Sequence, residues 1–214
     1  MLTEMPDTSA RPPSGGLRAQ RKEETRQALL AAARRMLERR GLAGLTTREV
    51  ATEARVATGT FFVHFPDVNT LIETLLDEHV GRALHTAMPT LPPAGDLVAR
   101  LVHVAGELYA SYDREPDLAR QYLSASLFPT RPDGPAEQRM AEFRRWVTRE
   151  LHEAESTGTV APLDPELVFT VFFSLYFGIL VAGLRGDLDR PSQLRLLEQS
   201  LSRFLTPRPR QEPV

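Results

Sequence analysis

TTREVATEARVATGTFFVHF, residues Thr46–Phe65, decides the fold. It reads as two short helices joined by a tight turn. The Thr46 hydroxyl is placed to cap the first helix, and Glu49, three residues on, to reach back to the Thr46 amide, the pattern of a capping box. Val50 and Ala51 are the apolar positions of this helix. Ala54-Arg55-Val56 makes the turn, with Val56 pointing inward. Ala57-Thr58-Gly59-Thr60 opens a second helix that ends in Phe61, Phe62, Val63, His64 and Phe65. Small residues followed by aromatics suit a helix whose beginning approaches another surface closely. A helix-turn-helix sets the first residues of its second helix against base edges in the major groove.

The charge is segregated in the same direction. Over the whole chain it is −2, which alone argues against a general nucleic-acid binder. Residues 17–70 nevertheless carry ten basic groups against six acidic ones. A basic head on an acidic body marks one end as the phosphate-facing surface.

Thr46, Val50, Ala51, Ala54, Val56, Gly59, Thr60, His64 and Phe65 follow a known signature in type and spacing, T-x-x-x-[IV]-A-x-x-A-G-V-S-x-G-T-x-Y-x-H-F. With the helix expected before them, the chain resembles the TetR-type one-component regulators of bacteria over about residues 20–76. It departs from that pattern at four places. Arg55 stands for Gly, at a turn position that often wants φ > 0, where a Cβ costs energy. Ala57 stands for Ser and Phe62 for Tyr, removing hydroxyls used on DNA. Val68 stands for Lys, removing a phosphate contact. Such losses weaken binding at all sequences alike.

The rest of the chain reads as helices between punctuation. Residues 1–17, rich in Pro, Gly and Ser, form an expected disordered arm. A helix follows to Arg40, with Leu29, Leu30, Ala33 and Leu37 inside, Arg34, Arg35, Arg39 and Arg40 on its wet side, and Gly41 as its cap. The head is expected over 18–66 and the body over 67–205. The body begins with a helix to about Thr86, whose tilt would carry a signal between the two. Further helices are expected at 95–114, from Pro116 to about Leu127, and at 136–157, closed by Gly158, with FPTRPDGP at 128–135 a loop. Asp164-Pro165-Glu166 opens the most apolar stretch, and a last helix spans about 191–205. Residues 206–214 form a frayed tail.

Leu167–Leu184 meets the minimum length of a membrane span. Thr170, Ser174, Tyr176, Gly178 and Gly183 dilute it and no basic loop bias flanks it, so no membrane partner is expected. A soluble helix apolar all round must be covered on every side, most simply by a second copy of itself. The resemblance implies the same, because the last two helices of TetR-like proteins dimerise. The expected interface is Phe169, Phe172, Phe177, Leu194, Leu197, Leu201 and Phe204.

Nothing in the sequence reads as catalytic. The chain has no cysteine, which excludes disulfides and fits a reducing cytoplasm. None of its five histidines lies in a ligand-spaced pair, and no Gly-rich loop or nucleophile elbow occurs. No metal, cofactor or enzymatic activity is expected. His103 and Glu107, four apart on a helix, read as a surface hydrogen bond or a proton pair. The aromatics concentrate in the body, and ligand pockets are mostly apolar with a few polar groups. The resemblance implies an effector pocket there, for which His103, Tyr109, Trp146, Phe173 and Tyr176 are the candidate walls and an apolar or aromatic small molecule the candidate ligand.

The reading is an all-α protein of about nine helices: a three-helix head and a helical effector-binding and dimerisation body. As a homodimeric TetR-type repressor it would bind a palindromic operator and release it to a small-molecule effector. Thr46, Thr47, Arg48, Ala57, Thr58, Gly59 and Thr60 would approach DNA, with Phe62 and His64 near the backbone. Arg48 and Thr58 are the candidates for base contacts, and the methyls of Ala57 and Thr58 for thymine. The alternative, motivated by Arg55, Phe62 and Val68, is a dimeric ligand-binding or interaction protein whose head has lost specific DNA binding.

Overall fold

The computed structural model describes residues 14–41, 44–114, 116, 119–120, 123 and 135–205. Among them are eight α-helices: α1 (Ser14–Arg40), α2 (Thr47–Glu53), α3 (Thr58–His64), α4 (Val68–Ala87), α5 (Leu97–Arg114), α6 (Pro135–Ser156), α7 (Pro165–Leu184) and α8 (Arg190–Leu205). A 3-10 turn, Met88–Thr90, follows α4. The ninth expected helix, from Pro116 to about Leu127, falls mostly outside the described residues, as do most of the loop before α6, the tail and residues 1–13. The arm is shorter than expected. Residues 14–17 already belong to α1, whose Gly15 and Gly16 did not delay it.

Caps set the boundaries. Asp67 accepts from the Thr70 amide at 2.7 Å to open α4, and Asp164 from the Glu166 amide at 3.0 Å to open α7, with Pro165 at its first position. Three helices end in one motif. The residue after the cap is left-handed, its amide bonds three back, and the next amide bonds five back. Gly158 and Gly186 occupy the left-handed place after α6 and α7, at φ 72° and 82°. After α2 the same place is held by Arg55, at φ 57°. The Arg55 amide bonds Thr52 O at 3.0 Å and the Val56 amide bonds Ala51 O at 2.9 Å. Thus the turn has the geometry of a glycine cap built without glycine.

Two apolar cores result. In the head, Leu29, Leu30, Ala33 and Leu37 of α1 meet Leu45, Val50, Ala51, Phe61 and Phe65, and Val56 packs against them as expected. Leu71, Ile72 and Leu75 of α4 complete this core. A boundary after Pro66 would strip the head of those three residues, so the head reaches into α4. In the body, α5 lies between α4 and α8, while α6 packs on α4 and α7. Leu97, Leu101, Val104, Leu108 and Tyr112 of α5 are all buried there.

Candidate DNA interface

The face of α3 is set by its burial pattern. Phe61 is fully buried, and Thr60 and His64 are half-buried. Thr58, Gly59, Phe62 and Val63 point outward, one and four residues apart on a single helical face. Ala57 caps the helix from an exposed position. Across the turn, α2 presents Thr46, Arg48 and Glu49 at its exposed start, with Thr47 half-buried beside them. The capping box is half-formed. The Glu49 amide bonds the Thr46 hydroxyl at 3.3 Å, but the Glu49 carboxylate accepts from that same hydroxyl at 2.8 Å instead of from the Thr46 amide. Of the expected residues, Thr46, Arg48, Ala57, Thr58, Gly59 and Phe62 are exposed and Thr47 and Thr60 half-buried, while His64 faces away from the outward side of α3. Val63, 67% exposed, was not anticipated. Its place beside Phe62, one step round from Thr58, was the available signal.

The cations of the head divide into paired and unpaired ones. Arg35 and Arg39 converge on Glu53 at 3.3 and 2.9 Å, tying α1 to α2 and holding the Glu53 carboxyl below its usual range. Those two were expected to face water alone. Arg34 reaches Glu78 at 3.6 Å. Arg48 and Arg55 stay exposed with no acidic partner among the described residues. His64 has the opposite character: its Nδ1 is buried without a hydrogen-bond partner among the described residues. Burial, then the charges of Lys22 and Arg26, hold its pKa below the ordinary histidine value, so the ring is neutral at pH 7.

Residues 29–75 of this head match the family model described as bacterial regulatory proteins, tetR family. The head is a TetR-family DNA-binding domain. The chain therefore carries a DNA-binding domain of the kind described for bacterial regulatory proteins. Solved structures carry the same fold through the body. A TetR transcriptional regulator from Rhodococcus sp. RHA1 is 21% identical, with 87% of this chain and 97% of that one covered and a TM-score of 0.65. The fatty acid degradation regulator FadR from Bacillus halodurans is 18% identical over 83% and 94%, with a TM-score of 0.65. RolR, solved with the ligand resorcinol, is 22% identical over 87% and 90%, with a TM-score of 0.61.

In the body, four of the five expected pocket residues join one aromatic cluster. Tyr109 stacks on Tyr176 at 5.4 Å and donates its hydroxyl to the Tyr176 carbonyl at 3.0 Å. Tyr176 meets Phe173 and Phe172 at 6.1 Å each, and Phe143 links Phe172 to Trp146. Burial raises the Tyr109, Tyr112 and Tyr176 hydroxyls, that of Tyr112 to about 12, so all three remain neutral donors. His103 stands apart. Its Nε2 lies 3.0 Å from the Thr90 hydroxyl and 3.2 Å from Ala87 O, pinning α5 to the end of α4. That contact takes it from the candidate pocket and from any pairing through that nitrogen with Glu107.

The expected dimer residues also divide. Phe169, Phe172, Leu197 and Leu201 are at most 4% exposed in the single chain, so a second copy cannot reach them. They are core of the protomer. Phe177, Leu194 and Phe204 are half-buried. By length and composition α7 could cross a membrane. Here one side of it lies against α6 and α8, and Leu167 and Val181 stand on its outward side.

Proposed function

We propose that this regulator is a homodimeric cytoplasmic repressor that binds a palindromic operator and leaves it when a small apolar or aromatic molecule enters the body. The observation that carries the DNA reading is the exposed, uncharged outward face of α3, with the unpaired Arg48 and Arg55 exposed elsewhere on the same head. Thr46, Thr47, Thr58, Gly59 and Thr60 would approach phosphates and bases. Two-fold symmetry of the protein would be mirrored in the operator. The Tyr109–Tyr176–Phe172 cluster supports an aromatic effector, as does RolR, which was solved with resorcinol. An effector that favours one arrangement of α4 against the body would shift the population away from a head spacing that fits both half-sites.

The test is protection of the DNA upstream of the chain's own gene, with competitor DNA and varied salt. Saturable protection of a palindrome is the expected result. Salt-sensitive binding without sequence preference would instead favour the degenerate-head reading. Arg48→Ala is expected to cost about 1–3 kcal/mol of operator affinity if Arg48 reads a guanine. A uniform loss across operator variants would assign it to phosphate instead.

A further inference from the structure

The outward face of α3 carries no charge. Phe62 and Val63 are 55% and 67% exposed side by side, next to the methyl-bearing Ala57 and Thr58. His64, the helix's only ionisable side chain, is half-buried and held neutral. Gly59 sits between them with space for a side chain: a Cβ there would meet nothing within 4 Å. Phe62 is held ready, its ring edge-on to Phe61 at 5.7 Å and 80°. The exposed cations Arg48 and Arg55 lie outside α3, one in α2 and one in the turn.

An uncharged apolar face suits the floor of a major groove, which carries one apolar group, the thymine methyl. The edges of guanine and adenine ask for donors. The outward face of α3 has only the Thr58 hydroxyl to give them. We propose that α3 reads its operator through thymine methyl groups, with Phe62 and Val63 making the contacts beside Ala57 and Thr58. Each half-site then carries thymines where these side chains dock, and hydrogen-bonded readout falls to Arg48 and Arg55. This rests on the regulator reading above, and it adds which base chemistry that surface selects.

Replacing thymine by uracil removes the methyl and keeps every hydrogen-bonding group. The full chain would first select its sites from random duplex DNA, and each fixed thymine would then be replaced by deoxyuridine. The expected result is a palindrome with fixed thymines, bound about fourfold more weakly for each contacted methyl removed. Val63→Ala, at a surface position that leaves folding intact, should weaken binding to the thymine duplex. On the duplex lacking the matching methyl it should add little, since the two deletions remove one contact. Undiminished affinity for uracil at every position would overturn the methyl readout and leave the regulator reading standing. Selection of no sequence at all would overturn both.

Discussion

Arg55 shows how a single residue can be legible from its neighbours. A glycine-type turn was expected at 54–56, and the chain adopts φ 57° there despite the Cβ. Gly158 and Gly186 make the same turn elsewhere without that penalty. Arg55→Gly should therefore stabilise the head, by about 1 kcal/mol from relief of the left-handed strain, measured as a higher urea midpoint. It should also weaken DNA binding at low salt, because an exposed guanidinium is lost from the docking end. Higher stability with unchanged DNA affinity would remove Arg55 from the interface. His64 was less legible: a motif position names a residue without saying which way its ring turns. Its folded pKa lies below the ordinary value of about 6.5. Between the two values the unfolded chain binds the proton and the folded chain does not, so stability is full above about 6.5 and declines as pH falls below it. His64→Gln should flatten that decline in denaturation curves taken from pH 7.5 to 5.5. An unchanged slope would place the titration elsewhere.

At the scale of elements, α4 is the one that repays attention, through three consecutive residues. Asp77 holds α6 through the Arg139 guanidinium, 2.7 Å from its carboxylate and also bonded to its carbonyl oxygen. Glu78 faces the head, 3.9 Å from Arg26 and 3.6 Å from Arg34 of α1. His79 faces α5, its Nε2 2.9 Å from the Ser111 hydroxyl and its ring 5.1 Å from Tyr112. Successive helical residues point about 100° apart, so three neighbours can hold three partners. Apolar periodicity runs through Leu71, Leu75 and Ala83 but is blind to this joint, since a charged residue reads as solvated until its partner is known. The two ion pairs should behave differently. Arg139→Ala strips charge-assisted bonds from a well-covered site and should cost about 2 kcal/mol in urea denaturation. Glu78→Gln removes longer, wetter pairs and should cost less than about 1 kcal/mol, while weakening effector-driven release of DNA. Equal release from wild type and Glu78→Gln would show that the joint to α1 carries no signal.

For the whole molecule, the large exposed apolar side chains among the described residues fall in the head and on the last two helices. Phe62, Val63 and Leu17 belong to the head, Leu167 and Val181 to α7 and Leu196 to α8. That the last two helices would take a second copy was a legible expectation, because α7 is the most apolar stretch of the chain and α8 alone cannot cover it. Which residues face that copy was not. A uniformly apolar helix has no pattern to orient it, and the amphipathic stripe of α8, with Leu197 and Leu201, is spent on its own protomer's core. The outward line on α7 is instead Leu167, Thr170, Ser174, Gly178 and Val181, spaced by three and four residues. Its centre is small, which lets a partner helix come close, and its ends are apolar. Val181→Asp would place a charge at the apolar end of a dry contact and should turn a dimer into a monomer in sedimentation velocity, with helical content unchanged. A monomer holds one half-site, so operator affinity should fall with it. Leu197→Ala should act otherwise, costing about 2–5 kcal/mol of stability as a core cavity while the surviving folded protein still associates. If Val181→Asp remains dimeric and Leu197→Ala yields folded monomers, the contact lies on another face.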